Sequence, residues 1–328
     1  MIALHPDISI IVPTYNSKNF IRETLESIQL QKLNKECFVI DNCSTDKTEL
    51  IVKDCVIENL KFISEPDNGQ ADAINKGVKK ANGKIINWLN SDDYYESNAL
   101  QIVNKHFDDS TNVVAGRSRI FDNNGTKHYS RGTDIYPDNL PKTLGWARID
   151  QPETFFRKSA WDKVGLLKEE LHCVFDREWW IRYLFHFGLN GFKKIPDILV
   201  NFRLHKNSKT VSRSNEFIKE DRIIYAAYAK KIEAYDIEEL ILISENIQSN
   251  VSIEIPIVAF KELIVPMLHY YLLKLGHEYY AQDETKLANK FLNKVDTEFL
   301  SKEDRYLLRN LKFRNQIPKP IIKLFRRR

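Results

Sequence analysis

Residues 84–93 read KIINWLNSDD. An apolar run, Ile85-Ile86-Asn87-Trp88-Leu89, ends in Asn90-Ser91 and then in two adjacent carboxylates, Asp92 and Asp93. A run of this length and composition predicts a buried strand. Two like charges side by side at its exit then need a reason, and a solvated turn is the plainest one. The flanking chain argues for another. Residues 8–12, 37–40 and 60–63 are also short apolar runs, and they close on Pro13-Thr14-Tyr15-Asn16, Asp41-Asn42 and Glu65-Pro66-Asp67.

Between these runs lie helix signals. Asn16-Ser17 can cap a helix that puts Phe20, Ile21, Leu25 and Ile28 on one face. Asp46 and Glu49 stand at capping-box spacing, and residues 72–81 form a third helix stopped by Asn82-Gly83. Strand and helix alternate, so the economical fold is an α/β, Rossmann-like and mostly parallel sheet flanked by helices. Ligands of such sheets gather at the carboxyl ends of the strands, and here those ends converge their carboxylates and amides on one edge.

Further along, residues 113–129 predict a hairpin turning at Asn124-Gly125, and residues 150–156 another strand. Residues 176–183, DREWWIRY, form an aromatic amphipathic segment. From about residue 214 the pattern is helix only. The expected domains are therefore 1–213, α/β, and 214–328, a helical C-terminal region ending in a basic amphipathic tail.

With 43% hydrophobic and 29% charged residues, the 328-residue chain has the composition of a soluble globular protein. A net charge of +4 makes no call for nucleic acid. Four scattered cysteines without a C-x-x-C pair suit reduced thiols in a cytoplasmic protein. The N-terminus does not read as a signal peptide, and no apolar run approaches the roughly 20 residues a membrane span needs. The positive charge is uneven: residues 311–328 carry seven Lys or Arg and no acid. In residues 317–328, five cations interleave with Ile317, Ile321, Ile322, Leu324 and Phe325, which predicts peripheral contact with an anionic lipid surface.

Neither G-x-G-x-x-G nor G-x-x-x-x-G-K-[ST] follows the first strand, which argues against a dinucleotide enzyme or a P-loop ATPase. A sheet that binds phosphates without a glycine loop needs another way to neutralise them. Adjacent acids can hold Mg²⁺ or Mn²⁺ against the ligand's phosphates. IIVPTYN, VIDNCSTDKT, EPDNGQADAINKGVKKANGKIINWLNSDD, QPETFFRK and FRLHKNS together resemble a family 2 glycosyltransferase of the GT-A fold, from residue 8 to about residue 211.

The resemblance implies an inverting, metal-dependent transfer of a sugar from a nucleotide-sugar, a UDP-sugar, to a glycan or lipid-linked glycan in cell-surface polysaccharide synthesis, on the cytoplasmic face of the membrane. It puts Pro13, Thr14, Tyr15, Asp41, Asp72, Asn90, Asp92 and Arg203 around the nucleotide-sugar. Asp93 becomes the direct ligand of Mn²⁺ or Mg²⁺, with Asp92 and His205 beside it. The catalytic base is Asp176, or Glu178, because Phe175 replaces the acid that usually precedes the base. Two other readings stay open: a non-catalytic scaffold that keeps the fold, and a sugar-phosphate nucleotidyltransferase. The latter usually carries a glycine-rich phosphate loop, where this chain has PTYNSKN.

Overall fold

The computed structural model describes residues 5–146, 148–243 and 257–317, the side chains of 257–259 excepted. The chain divides into two compact units. The first comprises residues 1–135 and 148–217, the second residues 136–147 and 218–328.

In the first unit the elements run β1 (Ile8–Thr14), α1 (Ile21–Gln29), β2 (Lys35–Asp41), α2 (Thr48–Asp54), β3 (Leu60–Ser64), α3 (Gln70–Lys80) and β4 (Ile85–Trp88). The four strands pair in parallel in the order β3-β2-β1-β4. β1 and β2 are buried along nearly their whole length, as strands covered on both faces must be. Ile8, Ile10 and Val12 of β1, Cys37 and Val39 of β2, and Ile21, Leu25 and Ile28 of α1 share one core. The register places Thr14 beside Asp41 and Asp41 beside Ser64, so three polar residues line up where the strands end.

The second half of the sheet is mixed. β5 (Tyr94–Tyr95), α4 (Ala99–His106), β6 (Val113–Asp122) and β7 (Gly125–Tyr129) come first. After α5 (Leu140–Trp146), which belongs to the second unit, follow β8 (Thr154–Arg157), α6 (Lys158–Val164), α7 (Phe175–Phe187), β9 (Phe192–Arg203) and the short α8 (Lys209–Ser212). β8 runs antiparallel to both β4 and β6, whereas β9 pairs in parallel with β6 and antiparallel with β5. The expected hairpin is β6–β7, with Asp122 paired to Gly125.

Two helix starts differ from expectation. No side chain caps α1; Asn16 instead takes a left-handed φ of 49° and turns its amide oxygen to the Thr45 N–H, 2.9 Å away. α3 starts at Gln70 because Gly69, at φ 123°, makes a reversal that L side chains resist.

The second unit is helical among its described residues: α5, α9 (Ser214–Lys231) from residue 218 onward, α10 (Tyr235–Leu242), α11 (Ile257–Ala281), α12 (Thr285–Lys294), a 3₁₀ turn at Thr297–Phe299, and α13 (Lys302–Gln316). Tyr225 of α9 stacks on Tyr271 of α11 at 3.6 Å and donates its hydroxyl to the Leu144 carbonyl of α5. No described helix is long and apolar enough to cross a membrane. Residues 318–328, most of the basic tail, lie outside the described residues.

Candidate active site

The exits of β1 and β2 are tied to each other. Asp41 is buried and accepts from the Ser44 N–H at 2.9 Å, the Ser64 hydroxyl at 2.7 Å and the Ser44 hydroxyl. The Asn16 N–H donates to the Ser44 oxygen at 2.7 Å, which closes the two exits into one rim. Pro13 and Thr14 are buried in that rim, the Thr14 hydroxyl donating to the Val12 carbonyl at 3.1 Å. Tyr15 stands out of it, 60% exposed, a ring available for stacking on a planar ligand. Asp72, in the first turn of α3, accepts from the Asn68 N–H at 3.0 Å and meets Lys76 at 3.4 Å, so it organises the turn before α3. Gln70 donates to the Asn90 amide oxygen at 2.7 Å, and Lys209 donates to the Gln70 oxygen at 2.7 Å and to the His172 carbonyl at 3.0 Å.

The two carboxylates of the opening motif have separate surroundings. Asp93 is 1% exposed. One of its oxygens accepts from the Arg203 N–H at 2.8 Å and the other from the Asn90 side chain at 3.3 Å. Burial and the adjacent Asp92 charge push its carboxyl well above the usual carboxylate range. Asp92 keeps a quarter of its side chain exposed and sets Oδ2 2.9 Å from Nε2 of His205. Nδ1 of His205 accepts from the Asn207 N–H at 3.3 Å, which leaves Nε2 as the ring nitrogen that faces Asp92. Asp93 thus makes one hydrogen bond to the chain through each oxygen, and Asp92 is the more exposed of the two carboxylates. Arg203 is tied to the same turn. Its Nε donates to the Asp92 carbonyl at 3.0 Å, its terminal nitrogen pairs with Glu23, and its guanidinium lies 4.6 Å from the Phe121 ring and 5.2 Å from that of Phe20. It clamps the acidic turn.

Among the described residues no group of three or more His, Cys, Asp and Glu is arranged to hold a metal. Asp92 and His205 offer one oxygen and one nitrogen. That donor set fits Mn²⁺ or Mg²⁺, which commonly complete their shells with substrate phosphates and water.

A third group of acids lies at α7 and β8. Asp176, partly exposed in the first turn of α7, accepts from the Arg177 N–H at 2.8 Å. Burial pushes its carboxyl up to about 6, against the pull of that N–H and of the Arg177 charge. Glu178, two residues on, is 1% exposed, and Arg182 donates to both its oxygens at 2.8–3.0 Å. The same guanidinium donates to the carbonyls of Val164 and Leu166 at 2.7 Å. The pair therefore pins the loop between α6 and α7. Trp179 and Trp180 are wholly inside, Trp179 stacking on Trp161 at 4.2 Å, so neither is a sugar platform. Gln151 donates to the Trp88 carbonyl at 2.7 Å and joins β8 to the exit of β4. Glu153 is buried between the hydroxyls of Ser118 and Ser130 and is pushed by burial up to about 7. Ser44, Ser64, Ser118 and Ser130 give no signal in the sequence, because a buried serine's partner is set by strand register.

Residues 9–163 match the family model for glycosyl transferase family 2. An uncharacterized glycosyltransferase of Rickettsia typhi is 25% identical over 252 residues, 73% of this chain and 75% of that protein. The chain spans only 36%, 34% and 37% of three other rickettsial glycosyltransferases. The minor teichoic acid biosynthesis protein GgaA of Bacillus subtilis is 36% identical over 114 residues, 32% of this chain and 26% of GgaA. In structure the chain is similar to S. aureus TarS 1–349 in complex with UDP-GlcNAc, with a TM-score of 0.59 at 20% identity over 94% of this chain and 88% of that one. The fold is thus that of the GT-A glycosyltransferases, with a helical C-terminal region.

Proposed function

We propose that this chain, whose residues 9–163 match the family model for glycosyl transferase family 2, is an inverting glycosyltransferase that uses a UDP-sugar donor and builds a cell-surface polysaccharide. The observation that carries the reading is the Asp92–His205 pair, 2.9 Å apart at the exit of β4 and beside the rim formed by Thr14, Tyr15 and Asp41. Uracil would stack on Tyr15 and give its N3–H to Asp41, which receives three donors and keeps room on Oδ1 for one more. The similarity to TarS, whose complex holds UDP-GlcNAc, supports the donor class. GgaA, and a hyaluronan synthase of Pasteurella multocida that is 27% identical over 213 residues, are named for polymer synthesis, which supports a polysaccharide product; the proposed acceptor is a glycan or lipid-linked glycan.

Asp92 and His205 would hold Mn²⁺ or Mg²⁺, which neutralises the charge collecting on the departing diphosphate. Asp176 is the base. Its carboxylate takes the proton of the acceptor hydroxyl as that oxygen attacks the anomeric carbon. The new C–O bond forms on the face opposite the breaking one, the bonding pair leaves with UDP, and the configuration inverts. Glu178 is assigned a structural part, since Arg182 occupies both its oxygens. Asp93, Asn90 and Arg203 fix the turn that presents Asp92. The enzyme works at the inner face of the plasma membrane, where a lipid-linked acceptor would meet it.

Calorimetric titration of UDP with and without Mn²⁺, on the wild type and on Asp92→Ala, tests the assignment. Metal-dependent binding that is lost in the variant is the expected result. Equal binding by the folded variant would overturn the Asp92 site, and no binding by the wild type would overturn the donor class.

A further inference from the structure

The last described helix, α13, reads KEDRYLLRNLKFRNQ over residues 302–316. Its inward face is plain. Asp304, Leu308, Leu311 and Asn315 are buried; Asp304 is paired with Lys142 at 2.6 Å, and Asn315 donates to the Thr285 carbonyl at 2.9 Å. The opposite face is unusual for a protein surface. Tyr306 and Phe313 are each 65% exposed, seven positions apart in sequence and so about 10 Å apart along the helix. At about 100° per residue, Lys302 and Arg309 fall on the same stripe, between and beside the two rings. Arg305, Lys312 and Arg314 flank it. Lys302, Arg309, Lys312 and Arg314 make no ion pair among the described residues, and Glu303 is the one exposed acid on the helix.

We propose that this face of α13 is a lipid-docking surface: Tyr306 and Phe313 enter the headgroup region of an anionic bilayer, and the surrounding cations meet its phosphates. The inference deepens the reading of a lipid-linked acceptor and rests on it for its biological purpose, but not for its physics. Charge complementarity decides the occupant. A second copy docked face to face about a two-fold axis would set Arg309, Lys312 and Arg314 against their own counterparts, a row of like charges with few acids to relieve it. A nucleic acid would satisfy the cations but has no use for the aliphatic side chains that follow. An anionic bilayer uses both kinds, since amphipathic helices that lie in the interface combine Lys and Arg with aromatic residues. The sequence after α13 continues in the same chemistry, with five cations, no acid, and Ile321, Ile322, Leu324 and Phe325 in residues 318–328. The combined attraction is partly electrostatic and is screened by salt.

The test is co-sedimentation of the full chain with vesicles of phosphatidylcholine, with and without phosphatidylglycerol, at low and high salt. The wild type should bind the anionic vesicles alone and release them as salt rises. The double variant Tyr306→Ser/Phe313→Ser should lose at least about tenfold in partitioning while keeping the wild-type melting temperature and UDP affinity, because both side chains are already in water. Lys302→Glu/Arg309→Glu should lose as much. Undiminished binding by both variants, with loss on deleting residues 318–328, would assign the contact to the tail and overturn the role of α13. Absence of binding by the folded wild type would overturn it too, as would self-association abolished by Phe313→Ser, which makes a second copy the occupant. UDP binding reports separately on the donor site, so failure of one reading is distinguishable from failure of the other.

Discussion

A base that must take a proton from a sugar hydroxyl works best when its own proton affinity lies near the working pH. Asp176 meets that condition because it is set into the start of α7, where burial pushes its carboxyl up to about 6. The acid form is inactive as a base, so kcat/KM should be low at pH 5, rise through a midpoint near 6 and level off above 7. Asp176→Asn should remove that limb and lower kcat by 10²–10⁴-fold, the usual worth of a positioned base, with UDP affinity unchanged. Steady-state kinetics across pH beside calorimetry separates the two effects; a variant that keeps the pH limb would return the role to another carboxylate. At this scale the sequence places the acids but not their surroundings. Asp92 and Asp93 are chemically identical neighbours, and only the Arg203 N–H, arriving from the end of β9, decides which of them is turned inward. Asp176 and Glu178 differ in the same manner, since Arg182 takes both Glu178 oxygens.

Elements were legible where one physical signal dominated. The four parallel strands are apolar runs closed by polar exits, and the β6–β7 hairpin turns at Asn-Gly as that dipeptide prefers. β9 was not legible. Its sequence, FKKIPDILVNFR, holds Pro196, and the pairing with β6 slips between Ala115 and Arg117 near the point where the proline falls. A proline lacks the N–H a ladder needs, so it reads as a strand breaker unless a bulge absorbs it. This strand matters, since it carries Arg203 to the acidic turn. β8 was expected, but not the buried acid it brings against β6. Glu153 lies between the Ser118 and Ser130 hydroxyls, its carboxyl pushed up to about 7 from the usual 4.5. In the unfolded chain the proton leaves near 4.5; in the fold it is kept to about 7. The stability contributed is therefore whole below pH 4.5 and is lost as pH rises through 7, by roughly 3 kcal/mol at about 1.4 kcal/mol per unit. Glu153→Gln holds the neutral form at every pH. Denaturant melts at pH 5 and pH 8 should show the variant gaining on the wild type by 1–3 kcal/mol as pH rises. A difference that is flat with pH would mean that Glu153 is ionised in the fold.

The two units draw on the chain in a way that a cut in the sequence does not follow. An α/β catalytic segment ending at 213 and a helical segment from 214 was the natural reading of the pattern, because amphipathic periodicity changes there. Yet residues 136–147, far upstream, belong to the second unit. α5 is short and its composition, LPKTLGW, gives no amphipathic stripe that would mark it for another core. What holds it is specific. The Leu144 carbonyl accepts the Tyr225 hydroxyl, Asn139 donates to the Tyr270 hydroxyl at 2.7 Å, and Gly145 lies so close to α11 that an added Cβ would stand 2.3 Å from the Met267 carbonyl. We propose that residues 1–213, expressed alone, keep the donor rim in sequence but leave α5 with its buried face in water. Such a fragment should be recovered largely insoluble or should bind a hydrophobic dye, whereas the full chain should not. In the full chain, Gly145→Ala must push the α5 backbone away from α11, and overpacking of that kind costs about 1–3 kcal/mol. A loss of that size in chemical denaturation, with UDP affinity preserved, would show that α5 serves the helical unit and not the donor site. A soluble, dye-silent fragment of residues 1–213 would show instead that α5 can bury its face without the helices after 217, and the boundary would then revert to the change in periodicity.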